Sequence, residues 1–220
     1  MIKIKNNNEK EQKLTLISDM STSLANAIRR SVLEIPTMAI DEVEIIKNDS
    51  ALYDENVAHR MGLIPIKTEK GEKEVKFKLK EIGPKIVYST DLSPSVDTEI
   101  KLPIVILDKE QEIEIVADAR LGRGIDHIKY SPGLMFFTHN IEEDLLDFVT
   151  IDDDGKIEFD EEDIKNKITD DQLARIKKLK TADELLINIE SWGQIKTKEI
   201  FLRSIEALDK NLEELNKAIK

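Results

Sequence analysis

The 220-residue chain contains no cysteine, which excludes disulfides, thiolate zinc sites, Cys-ligated iron–sulfur clusters and a cysteine nucleophile. Long apolar runs are missing too. None approaches the ~20 residues needed to span a bilayer, and the opening MIKIKNNNEKEQ has no signal-peptide apolar core. A soluble cytoplasmic protein without a membrane partner is therefore expected. Positive charge is in deficit: 33 Lys and Arg against 45 Asp and Glu leave a formal net charge of −12. A free-standing DNA or RNA binder shows the opposite balance, so no direct nucleic-acid contact is expected. Catalytic signatures are also absent. There is no HExxH or GxSxG, and His59, His127 and His139 lie too far apart in sequence to read as a ligand pair. LGRGID lacks the third glycine of a dinucleotide loop. No catalytic residue, metal ligand or cofactor is assigned.

What is present reads as a globular protein: 40% hydrophobic and 35% charged residues, in a chain long enough to bury a core. Residues 2–17 alternate and then run apolar, predicting a strand or hairpin. A helix is expected from about Thr22 to Glu34, stopped by Pro36, which disfavours helix in the residue before it. Residues 39–46 alternate as a strand, with a slip in period at 41–42. Short strands dominate from 48 to 140, at 75–80, 85–90, 112–119 and 135–139. Residues 141–184 turn very acidic and then helical. A last strand at 184–191 leads into a terminal helix.

The terminal helix has the clearest pattern. Phe201, Ile205, Leu208, Leu212, Leu215 and Ile219 form an a/d heptad seam. Burying six such side chains contributes roughly 9–18 kcal/mol at about 1.5–3 each, against an association cost of about 4–15. On the first helix, Leu24, Ala27, Ile28, Ser31 and Ile35 share one face, and Arg29 and Arg30 fall off it. Arg30 has Glu34 four residues on, whereas Arg29 has no acidic partner at that spacing. A guanidinium fork on a rigid helix suits bidentate capture of a partner's carboxylate or carbonyl.

Four ordered blocks carry a resemblance: LANAIRRSVLEIPTMAIDEVEI (24–45), NVAHRMGLIPI (56–66), ARLGRGIDHIKYSPG (119–133) and ESWGQIKTKEIFLRSIEAL (190–208). Together they resemble the family of D-type subunits of archaeal RNA polymerase, and more distantly the amino-terminal domain of bacterial alpha and the third-largest eukaryotic subunit. The resemblance implies an α+β fold with a discontinuous dimerisation domain at 1–48 and 185–220, and an inserted β-rich domain at 49–184. It implies a non-catalytic assembly subunit of DNA-dependent RNA polymerase. The two amphipathic helices (Leu24, Ala27, Ile28, Ser31; Phe201, Ile205, Leu208, Leu212, Leu215, Ile219) would pair with the small L-type subunit. Arg29 and Arg30 would meet the second-largest subunit. His59 and Arg60, in a loop after the first strand pair, and a basic loop with Arg120, Arg123, His127 and Lys129 would face the second-largest and largest subunits. Other small polymerase subunits are possible partners. Gly62, Gly122 and Gly124 are expected to serve backbone turns. The family's iron–sulfur insertion has no counterpart, since 141–184 holds no cysteine.

TIDDDGKIEFDE (150–161) carries a rival reading. Asp152, Asp154, Gly155 and Glu161 fall where a calcium-binding EF-hand loop needs them, but Thr150 stands where the first aspartate belongs. The alternative function is a free-standing acidic binding protein using this degenerate loop. A β-hairpin closing on DDDG is the competing local structure.

Overall fold

In the computed structural model, the described residues are 1–69, 74–98, 100–152, 156–160, 164, 167–178 and 184–219. The described strands are β1 Ile2–Asn8, β2 Lys13–Ser18, β3 Thr37–Asn48, β4 Glu74–Ile82, β5 Lys85–Tyr88 and β6 Pro103–Leu107. They continue with β7 Glu112–Gly122, β8 Gly133–His139, β9 Thr150–Ile151, β10 Ile157–Glu158 and β11 Leu185–Ser191. The described α-helices are α1 Thr22–Ser31, α2 Asp54–Gly62, α3 Glu143–Leu146, α4 Asp170–Lys178 and α5 Thr197–Ile219. This mixture is the α+β class expected. Contacts divide the chain into two discontinuous units, Met1–Arg29 with Met135–Ile189, and Arg30–Leu134 with Glu190–Lys220.

The first unit is built on a four-stranded sheet in the order β1-β2-β11-β8. Strand alternation buries Leu14, Leu16 and Ser18 on β2 and Leu185, Ile187 and Ile189 on β11. α1 begins where the Ser21 hydroxyl accepts the Leu24 N–H at 3.3 Å. It ends at Ser31 and tightens into a 3-10 turn over Val32–Glu34, three residues before the expected end of the α-helix. Ile35 is extended (φ −68°, ψ 122°), as the residue before Pro36 must be.

The acidic segment has its own small core, in which Leu145, Ile164 and Ile176 are buried and Phe148 and Phe159 pack around them. Arg175 answers three of its carboxylates, Glu142, Asp144 (2.5 Å) and Asp171 (3.1 Å). Within it, β9 and β10 form the hairpin, Ile151 opposite Ile157 and Thr150 opposite Glu158. The Thr150 hydroxyl donates to the Glu158 carbonyl at 3.1 Å, and Asp152 accepts the Lys156 N–H at 2.7 Å. The hairpin thus engages two of the positions a calcium loop would need, which leaves the calcium reading without support. Asp154, Gly155 and Glu161 lie outside the described residues.

The second unit stands on the three-stranded sheet β3-β7-β4 and the hairpin β5–β6. Ile113, Ile115, Ala117 and Ala119 alternate inward along β7, and Phe77 sits opposite Ala117, bulk facing a small residue. Val57 and Met61, one turn apart on α2, join this core with Met38 and Ile40.

These boundaries differ from those expected. β3, expected in the dimerisation domain (1–48), is paired with β7 and belongs to the second unit. β8, expected in the insertion (49–184), joins the sheet of the chain ends. Strand pairing across long sequence separations, invisible to local pattern, decides both.

Candidate functional site

Against β7, β3 carries two residues too many, one between Ile40 and Glu42 and one between Ile45 and Lys47. Ile40 faces Ala119 and Glu42 faces Asp118, leaving Asp41 as the bulged residue at the expected period slip. A bulge re-aims a side chain out of the ladder's alternation. Here the Asp41 Oδ1 accepts from Lys129 Nζ at 2.6 Å and from the Tyr130 hydroxyl at 2.8 Å, and Oδ2 pairs with Arg120. The Lys129 hydrogen bond, helped by that of Tyr130 and by the charges of Lys129 and Arg120, holds the Asp41 carboxyl below the usual carboxylate range despite burial. Burial, and then the bond to Asp41, push the Tyr130 phenol up, so it stays a donor.

Asp41 is only 17% exposed, so its loss has a cost. Asp41→Asn should destabilise the chain by about 2 kcal/mol at neutral pH, the scale of hydrogen bonds to a charged group. A carboxyl whose folded pKa is depressed contributes stability above its unfolded pKa of about 3.9 and loses it as pH falls through the folded value. Urea unfolding across pH should therefore show the two proteins converging below about pH 4. A gap that persists undiminished there would contradict the clamp.

Gly122, expected to serve a turn, has another role. Among the described residues only Gly193 is a positive-φ glycine (φ +100°). A Cβ on Gly122 would lie 2.6 Å from the Tyr130 ring, and Tyr130 is buried. The glycine makes room for the ring that holds Asp41. Gly122→Ala should cost about 1–3 kcal/mol through overpacking, read as a lowered thermal midpoint.

The cations expected in a basic loop have carboxylate partners within the chain, and Arg120 lies on β7 rather than in a loop. Arg120 and Lys129 are tied to Asp41, and Arg123 pairs with Glu34 (3.1 Å) and Asp126 (3.3 Å). The bulge supplies Asp41, the 3-10 turn supplies Glu34, and Asp126 lies three residues beyond Arg123 itself. His59 and Arg60 lie on α2 rather than in a loop, where Arg60 Nη1 donates to the Ile104 carbonyl at 2.5 Å. His127 caps a 3-10 turn, its Nδ1 accepting the Lys129 N–H at 3.1 Å.

Arg29 and Arg30 are both exposed. The Arg29 fork is held against the Asn26 side-chain oxygen, at 3.0 Å from Nε and 2.8 Å from Nη2. A carboxamide orients the guanidinium without neutralising it. The Arg30 guanidinium makes no hydrogen bond or ion pair among the described residues. Glu34, its expected i+4 partner, turns to Arg123 because the 3-10 turn breaks the α-helical spacing.

The helix faces need one revision. Ala25, Ile28, Ser31, Val32 and Ile35 of the first helical stretch are buried within the chain, as is Phe201 of α5. The buried stripe is rotated from the one expected, so Leu24 is exposed and Ala27 partly so. Ile28, Ser31 and Phe201 are thereby already covered. On α5, Ile205 and Leu208 are half-buried, whereas Leu212, Leu215 and Ile219 are 54%, 56% and 77% exposed in line along one face.

The family model for the RNA polymerase Rpb3/Rpb11 dimerisation domain matches residues 15–212. The chain is 43% identical over 156 residues to DNA-directed RNA polymerase subunit Rpo3 of Pyrococcus horikoshii, covering 63% of this chain and 60% of that protein. It is 41% identical over 140 residues to Rpo3 of Thermococcus kodakarensis, covering 56% and 54%. To Rpo3 of Halobacterium salinarum it is 30% identical, covering 93% and 92%. The chain thus spans just over half the length of the first two relatives and nearly all of the third. With residues 15–212 matched, the chain belongs to the RNA polymerase Rpb3/Rpb11 dimerisation-domain family.

Proposed function

We propose that this chain is the non-catalytic, Rpo3-type assembly subunit of an archaeal DNA-directed RNA polymerase, that it pairs with a small L-type subunit, and that the pair carries the two large catalytic subunits. The observation that carries this reading is the line Leu212, Leu215 and Ile219, a heptad seam left open on a helix exposed from Asp209 to Ile219. A soluble protein rarely leaves such a stripe uncovered. Leu24 and Ala27 on α1, and Ile205 and Leu208 on α5, are the further apolar positions that the L-type subunit would cover.

Arg29, oriented by Asn26, and Arg30, neither of them neutralised, are the docking groups for the second-largest subunit. His59, Arg60, Arg120, Arg123 and Lys129 belong to the face toward the large subunits, the last three each paired with a carboxylate of the chain. The chain works without an iron–sulfur cluster, having no cysteine to hold one. A cytoplasmic location fits this role, and no described helix is long and apolar enough to cross a membrane.

Co-expression with an L-type subunit tests the reading. A stable one-to-one complex should elute from a sizing column, and the chain alone should self-associate or aggregate. A chain that stays monomeric and ignores the L-type subunit would refute it.

A further inference from the structure

His59 and His127, far apart in sequence, line one cleft of about 250 Å³ in the second unit. Its floor is apolar, made by Ile40, Val43 and Ala58. The volume falls below the roughly 300–1,000 Å³ of small-ligand pockets, which suits a side chain better than a cofactor. Leu63 at its edge is 50% exposed, and Ile128, between the lining residues His127 and Lys129, is 67% exposed. An apolar cavity with exposed apolar residues beside it is the anatomy of an interface hot spot.

The rim presents hydrogen-bond donors. With its Nδ1 accepting the Lys129 N–H, His127 carries a proton on Nε2 and offers a donor. The His59 side chain makes no hydrogen bond or ion pair among the described residues. Asp41 is the only carboxylate among the described lining residues, and both its oxygens are engaged by Lys129, Tyr130 and Arg120. In a chain of net charge −12, this cleft therefore holds two imidazoles and no free carboxylate.

We propose that this cleft receives a large apolar side chain of a large polymerase subunit, carried on an acidic segment whose carboxylate meets the imidazoles of His59 and His127. The site rests on the assembly reading above and adds its chemistry: an apolar plug in the floor and an anion on the rim. Arg29 and Arg30 have no part in it.

The test titrates the pair formed with the L-type subunit against each purified large subunit. Ala58→Trp fills the floor and should weaken binding of one large subunit by about 30-fold or more. His59→Glu, an exposed substitution that leaves the fold alone, should weaken the same step by about tenfold. His127→Asn keeps an acceptor for the Lys129 N–H but removes the Nε2 donor, and should weaken it several-fold. Thermal midpoints and L-type pairing should match the unsubstituted chain. Unchanged affinity in Ala58→Trp overturns the plug, and unchanged affinity in His59→Glu overturns the acidic segment. If the unsubstituted pair binds neither large subunit, the assembly reading and the cleft fall together; if it binds and the variants bind equally well, only the cleft falls.

Discussion

Leu212→Asp/Leu215→Asp should abolish pairing with the L-type subunit while leaving the chain folded. Both side chains are more than half exposed, and every residue from Asp209 to Ile219 is exposed, so the substitutions remove no packing within the chain. In the complex each leucine would contribute about 1.5–3 kcal/mol by burial. An aspartate there forfeits that and adds the cost of desolvating a charge. A loss of at least about 3–6 kcal/mol corresponds to roughly 10²–10⁴-fold in affinity, at about 1.4 kcal/mol per tenfold. On a sizing column at micromolar concentration, the heterodimer peak should vanish. Lys210→Asp/Lys217→Asp is the control, because those positions face away from the seam at 100° per residue. Equal loss in the control would assign the effect to charge, and a surviving heterodimer in the leucine variant would remove the seam from the interface.

Arg29→Ala/Arg30→Ala should leave the L-type pairing intact and block recruitment of the second-largest subunit. Neither arginine belongs to the buried stripe Ala25, Ile28, Val32 and Ile35, and the Arg29 guanidinium is held by the neutral Asn26 carboxamide. Stability should move by less than about 0.5 kcal/mol, as for an exposed substitution. At a contact with the second-largest subunit, truncation leaves partner carboxylates or carbonyls unpaired, at about 2–5 kcal/mol. That is roughly 30-fold or more in affinity. Stepwise reconstitution reads it: form the pair, add the second-largest subunit, and measure the complex on a sizing column. Assembly at normal concentration would mean that the two guanidiniums are simply solvated.

Local chemistry settled much of this protein before any tertiary contact is considered. Pro36 dictates the end of the first helix through the strain it places on Ile35. Alternation at 75–80 and 112–119 specifies strands with one buried face, and the structure has them at Glu74–Ile82 and Glu112–Gly122. The heptad spacing from Phe201 to Ile219 specifies an apolar stripe, because a helix repeats its faces whatever surrounds it. The slip at 41–42 marks the bulge, although nothing local says what the bulged residue would meet.

Only the tertiary structure decided the partners. Asp41 finds Lys129 and Tyr130 some ninety positions away (88 and 89 in separation), and Arg123 finds Glu34 across 89. A carboxylate's partner depends on which strands pair, and pairing joins residues that share no local pattern. The same holds for α2, whose short apolar spacing (Val57, Met61) is too sparse to announce a helix until a sheet buries it. It holds equally for α1, where the sequence determined that one face would be apolar and the packing chose which face. Periodicity is a property of one segment, whereas burial, charge neutralisation and the sharing of one cleft by His59 and His127 are properties of segments brought together.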